Sequence, residues 1–165
     1  MAGGIGSRFW PMSRAEMPKQ FLDILGTGKT LIQQTVDRFK NICPVENILI
    51  VTNEQYKSIV LEQLPQLIED QVVCEPMMRN TAPCIAYANH KIAAKNPNAN
   101  IVVAPSDHLV LNQPEFDKII SAAIEQSNNN DCLVTLGIKP SRPDTGYGYI
   151  QFTEESTEVG DHVRK

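Results

Sequence analysis

Apolar positions along the chain alternate between two periods. Leu31, Ile32, Thr35, Val36 and Phe39 recur at helical spacing, and Thr30 stands where a helix cap belongs. Residues 47–52, NILIVT, form a short, continuously apolar, β-branched run, which predicts a buried strand. A helix through Tyr56, Ile59, Val60 and Leu64 follows and is bent or interrupted at Pro65. Residues 71–75 predict the next strand. Residues 83–95 predict an alanine-rich helix carrying Ile85, Ala88, Ile92 and Ala93 inward. The alternation continues with a strand over 101–104 and a helix over 114–127 that buries Phe116, Ile119, Ile120, Ala123 and Ile124. Two further strands are predicted over 131–138 and 147–152. Strands joined by single helices imply right-handed crossovers and a doubly wound, mostly parallel α/β sheet. Ligands of such sheets bind at the carboxyl ends of the strands, so chemistry is expected in the loops at 1–20, 75–83, 104–109 and 139–147. Residues 153–165 lose the apolar pattern and read as a charged surface segment, which leaves 1–152 as the domain.

Composition narrows the picture. The 165 residues fit one ordinary domain, and 42% apolar side chains suffice for its core. Fifteen basic against nineteen acidic residues give a net charge of -4, which argues against a nucleic-acid coat or a polybasic membrane patch. No apolar run approaches the ~20 residues that cross a bilayer. The N-terminus has neither the basic nor the apolar region of a signal peptide. Cys43, Cys74, Cys84 and Cys132 include no Cys-x-x-Cys pair, and three of them adjoin apolar residues. They read as reduced structural thiols in a cytoplasmic chain. His90, His108 and His162 form no zinc-like set. A homo-oligomer is compatible with the sequence but not specified by it.

The first loop is the richest in chemistry. Gly3, Gly4 and Gly6 permit positive φ and close approach of backbone to a ligand, and their amides can form a nest for phosphate oxygens. Arg8, Arg14 and Lys19 add three cations to a chain that is acidic overall, and Pro11 and Pro18 stiffen the segment. A glycine-rich phosphate loop ordinarily follows a strand, and only two residues precede this one. Gly28-Lys29-Thr30 imitates the end of a P-loop, but Asp23 occupies the position of the required first glycine. Gly28 therefore reads as a turn. Asp107 ends an apolar run in Pro105-Ser106-Asp107-His108. Alone, such an aspartate is a turn or cap residue; at a strand's carboxyl end it is also a suitable oxygen ligand for Mg²⁺.

GGIGSRFWPMSRAEMPKQF resembles the signature of the sugar-nucleotide pyrophosphorylases, Gly-Gly-x-Gly-x-Arg followed by Pro-Lys. EPMMRNTAPC (75–84), APSDH (104–108) and GIKPSRPDTGYGYI (137–150) match in the same order, so the resemblance spans nearly the whole chain. It implies a Rossmann-like sheet of the nucleotidyltransferase (GT-A-like) type, incomplete at both ends. The branch most resembled transfers GMP from GTP to mannose 1-phosphate, giving GDP-mannose and pyrophosphate. The sugar phosphate is then the nucleophile, and catalysis rests on positioning, fixed cations and a divalent metal. By resemblance Gly3, Gly4 and Gly6 cradle the nucleotide, Arg8 and Lys19 hold the triphosphate, and Asp107 binds Mg²⁺. Arg14 is a further phosphate contact or an ion-pair partner within the loop. Glu75, Asn80 and Thr81 lie beside base and ribose, while Asn80 or Thr81 caps the following helix, with Pro83 in its first turn. Gly146 and Tyr147 face the sugar, Tyr147 stacking on the ring or packing. In the family a Glu-Lys-Pro segment and a second metal-binding aspartate lie beyond the tail, so the 165 residues are expected to be poorly active alone. A pyrophosphorylase using UTP or dTTP and a non-catalytic nucleotide-binding module are the alternatives.

Overall fold

The computed structural model describes residues 1–4, 9–151, 156–157 and 160–164. They divide into two compact units, Met1–Gln113 and Pro114–Lys165.

The first unit is built on a parallel pair, β1 (Ile50–Thr52) and β2 (Val72–Cys74), in register Ile50↔Val72, Val51↔Val73 and Thr52↔Cys74. The Glu75 amide extends the ladder by donating to the Thr52 carbonyl at 2.8 Å. On the other side of β1, Ala2 N–H donates to Val51 O at 2.7 Å. Met1 in turn bonds outward, donating to Ala104 O at 2.9 Å and accepting from Ser106 N–H at 3.2 Å. One residue bonding to both neighbours of its opposite number is the parallel-ladder pattern. The lateral order is therefore 104–106, 1–2, β1, β2. Met1 and Ala2 hang the glycine segment on the sheet, with Ala2 paired to β1 and Met1 to the 104–106 segment.

Side-chain alternation distributes the sheet between two layers. Ile50 and Val72 join Ala2, Phe21, Ile32, Val36, Tyr56, Val60, Leu64 and Leu67 in one core, which holds α1 (Leu31–Arg38) and α2 (Lys57–Gln63). Val51 and Val73 join Cys84 and Ala88 of α3 (Thr81–Lys95) on the opposite face. Helices cover both faces, as a doubly wound sheet requires. Ile32 and Val60 are wholly buried, and truncating either to Ala is worth about 2–5 kcal/mol.

Polar side chains lock the connections. Thr30 N–H donates to Gln33 Oε1 at 2.9 Å, half of the capping box, while the Thr30 hydroxyl donates to Gln63 Oε1 at 2.8 Å. Buried Gln71 donates to the carbonyls of Val45 and Ile48 at 2.6 and 2.9 Å. Asp23 accepts the amides of Thr27 and Gly28 at 3.0 and 2.7 Å, and Gly26 and Gly28 have positive φ. The P-loop look-alike is thus a turn whose amides already serve a carboxylate.

Several expected elements differ. Residues 101–104 form no regular strand, and Ile101, Val102 and Val103 are exposed. The same holds for 131–138 and for 147–151, where Leu133, Ile138 and Tyr147 stand in solvent. An apolar run becomes a strand only when a neighbouring backbone takes up its amides and carbonyls. On α3 the buried pair is Cys84 and Ala88, with Ile85 and Ile92 half-buried and Ala93 exposed, because a two-stranded sheet covers only a narrow helical stripe. In the second unit α4 (Gln113–Asn129) buries only Ile120 fully; Phe116, Ile119, Ala123 and Ile124 are half-buried. The 153–165 segment includes an antiparallel pair, β3 (Ser156–Thr157) and β4 (Gly160–Arg164).

All four cysteines are free thiols, and burial pushes Cys43, Cys74 and Cys84 up from their ordinary range. Cys132, expected among apolar neighbours, is exposed. Among the described residues no helix is long and apolar enough to cross a membrane.

Candidate functional site

The carboxyl end of the first unit's sheet gathers three of the expected loops. Met1 and Ala2 lead Gly3 and Gly4 out between β1 and the 104–106 segment. Neither Gly3 nor Gly4 uses the positive φ that glycine permits. What glycine supplies is space. A Cβ on Gly3 would lie 3.6 Å from Glu75 Oε2, an ordinary contact, and a Cβ on Gly4 would meet nothing within 4 Å. Gly6 and Arg8 lie outside the described residues.

Lys19 and Asp107 meet in this corner, Nζ to Oδ2 at 2.5 Å, each side chain about one-quarter exposed. Fully buried Pro18 leads into a single 3₁₀ turn, Lys19–Phe21, which aims Lys19 at the sheet end. The Phe9 ring lies 5.5 Å from the Lys19 ammonium, close enough for a cation–π contact. Gln20, which sequence reasoning passed over, is 3% exposed. Its Nε2 donates to Ala2 O at 2.8 Å and to Gly4 O at 3.0 Å. The only sequence signal for it is its place beside Lys19 in Pro-Lys-Gln-Phe. The loop before this turn is anchored by the Tyr56 hydroxyl, which donates to Ala15 O at 2.6 Å, while Arg14 and Met17 exchange backbone bonds and Arg14 is exposed.

The turn that presents Asp107 is held on both sides. The Ser106 hydroxyl donates to Met1 O at 2.7 Å, and buried Arg38, the last residue of α1, donates from Nη2 to His108 O at 2.7 Å. Burial holds the Arg38 guanidinium below its ordinary pKa. His108 is exposed and contributes its main-chain carbonyl here.

Glu75 follows β2 directly, its carboxylate beside Gly3 and the Cys84 thiol; burial first, and then Glu75, pushes Cys84 up. Asn80 stands at the N-cap position of α3 with φ 67°, yet its side chain makes no capping bond. The cap is a backbone conformation and not the side-chain cap expected. Asn80 and Thr81 are exposed, and Pro83 sits in the first turn. Gly146 and Tyr147 belong to the second unit, in a turn where Gly146 N–H donates to Asp144 Oδ1 at 2.9 Å. A Cβ on Gly146 would approach that oxygen to 3.1 Å, and Tyr147 is 72% exposed.

Among the described residues no three His, Cys, Asp or Glu side chains converge on one point. A dedicated protein cage for a metal is therefore absent from them. One carboxylate at a sheet end suits a divalent ion whose other ligands are phosphate and water, which is how Mg²⁺ is commonly held.

The family profile described as Nucleotidyl transferase matches residues 1–165. The chain is 42% identical over 153 residues to a mannose-1-phosphate guanylyltransferase of Escherichia coli, covering 92% of this chain and 32% of that protein. It is 37% identical over 158 residues to the alginate biosynthesis protein AlgA of Pseudomonas aeruginosa, covering 94% of this chain and 32% of that one. A crystal structure described as a mannose-1-phosphate geranyltransferase from Thermus thermophilus superposes with a TM-score of 0.66 at 31% identity, covering 76% of this chain and 36% of that one. The chain spans about a third of the length of the relatives it matches.

Proposed function

Because the chain belongs to the nucleotidyl transferase family, we propose that its glycine segment and the Lys19–Asp107 pair form the nucleotide end of a site that transfers GMP from GTP to mannose 1-phosphate. The products are GDP-mannose and pyrophosphate. A phosphate oxygen of the sugar phosphate attacks the α-phosphorus, and the bond from the α-phosphorus to the β-bridging oxygen breaks as pyrophosphate leaves. No protein nucleophile is needed. The protein's contribution is positioning and charge placement.

The Lys19–Asp107 contact, tied to the glycine segment through the neighbouring Gln20 and Ser106, carries this reading. An ammonium and a carboxylate paired at 2.5 Å are preset for two ligands of opposite charge. When a nucleotide binds, Lys19 turns to the triphosphate, joined by Arg8, and stabilises charge on the departing pyrophosphate. Asp107 is released to hold a divalent cation, Mg²⁺ by its hard oxygen. When bound, that cation neutralises phosphate charge. Gly3, Gly4 and Gly6 let the backbone approach the nucleotide; Glu75, Asn80 and Thr81 lie towards base and ribose; Gly146 and Tyr147 serve the sugar. The catalytic domain proposed runs over 1–152. We place the protein in the cytoplasm.

The test is pyrophosphate release by the chain with mannose 1-phosphate, Mg²⁺ and either GTP, UTP or dTTP. GTP is expected to give the highest rate. Preference for UTP or dTTP would overturn the guanylyl assignment. A chain that does not bind GTP would overturn the site itself.

A further inference from the structure

We infer that Gln20 is a positioning residue that orients the glycine segment towards the nucleotide's phosphates, an inference that rests on the function proposed above. Its single amide nitrogen carries two hydrogens, and each has a backbone carbonyl, Ala2 O at 2.8 Å and Gly4 O at 3.0 Å. In extended backbone the N–H and C=O of one residue point to the same edge, and successive residues alternate edges. Ala2 uses the β1 edge, its amide on Val51 O and its carbonyl on Gln20 and the Thr52 hydroxyl. Met1 uses the opposite edge, towards Ala104 and Ser106.

Gly4 comes after the last residue that β1 bonds directly, so nothing in the ladder dictates where its carbonyl goes. Gln20 supplies the missing donor and carries the alternation two residues further. Gly3 is then bracketed by two carbonyls held on one amide, those of Ala2 and Gly4. Without this clamp, consecutive glycines would have many accessible conformations to lose on binding. The same 3₁₀ turn delivers Lys19 to Asp107. One turn therefore sets both the cation and the backbone that would meet the phosphates. Burial keeps the clamp in place, since a Gln at 3% exposure that left either carbonyl would face no solvent to bond instead.

The experiment compares Gln20→Met, of similar size but without donors, with the wild-type chain in calorimetric titrations with Mg²⁺ and either GTP or guanosine. Circular dichroism selects variants that keep the wild-type fold. GTP affinity is expected to fall by about tenfold or more, the factor equivalent to one net hydrogen bond, with guanosine affinity unchanged. Gln20→Asn, which keeps the amide but draws it back by one methylene, should lose less. In Gln20→Glu the ionised carboxylate faces two carbonyls; its GTP affinity relative to wild type should recover as falling pH returns a proton that can donate. GTP affinity equal to wild type in Gln20→Met, or GTP and guanosine falling by one common factor, would overturn the inference. A wild-type chain that does not bind GTP overturns the proposed function and this inference with it. Wild-type binding with an indifferent Gln20→Met removes this inference alone.

Discussion

The Lys19 ammonium sits 2.5 Å from the Asp107 carboxylate, although 88 positions separate them in the chain (107 minus 19). A pair with each side chain about one-quarter exposed contributes about 1 kcal/mol or less to stability. Lys19→Met should therefore leave the urea midpoint nearly unchanged. Under the function proposed above, removing the fixed cation should lower GDP-mannose formation by about 10²-fold or more. Asp107→Asn should raise the Mg²⁺ concentration needed for half-maximal rate. Equal, large losses of stability in both variants would show the pair to be structural.

Gly4 separates a ligand role from a folding role. A methyl group there meets nothing within 4 Å and the backbone is not in the left-handed region. Gly4→Ala should thus fold normally, with stability unchanged or raised by about 0.4–1 kcal/mol through the unfolded chain. In the proposed site the same methyl would occupy the space through which a phosphate approaches, so GTP affinity should fall by about tenfold or more. Thermal unfolding and titration on one sample read both effects.

Arg38 grips the main chain of the Asp107 turn. Arg38→Met leaves the His108 carbonyl without that donor and should cost about 1–3 kcal/mol in urea unfolding. His108→Ala keeps the carbonyl and should stay within about 0.5 kcal/mol of wild type. A large effect of His108→Ala would mean that the ring matters after all.

Asp23 gives the 23–28 turn a pH signature. The Thr27 amide first, with those of Gly28 and Gly26 and the Thr27 hydroxyl, holds its carboxyl below the ordinary value of 3.8. A depressed carboxyl stabilises the fold above its unfolded pKa and loses that contribution as pH falls through its folded pKa. Wild type should be more stable than Asp23→Asn at neutral pH, and the two should converge in acid. A difference that is flat across the acid range would contradict the turn's dependence on the charge.

Recognition of the site depended on how much of its chemistry is local. Gly3, Gly4, Lys19 and Asp107 could be named as candidates because residue type and spacing within each loop already constrain what the loop can do, and Glu75 entered through the family resemblance. Gln20 was not, because an amide's role is set by the carbonyls it meets, and those lie 16 and 18 residues away. Arg38 was hidden for the same reason, its acceptor standing 70 residues on. The runs at 101–104 and 131–138 show the converse: hydrophobicity marks a segment's tendency towards burial, but a strand requires a partner's backbone.

By itself the sequence determined the local decisions: where α1, α2, α3 and the first two strands form, and that Gly28 belongs to a turn. Periodicity, proline and capping act within a few residues, so they can be read directly. Only the tertiary structure decided that Met1 and Ala2 seat the glycine segment between β1 and 104–106. It also decided that Lys19 and Asp107 share one corner, and that a buried glutamine holds the backbone beside them. Those outcomes depend on hydrogen-bond geometry between distant segments, which no local pattern encodes.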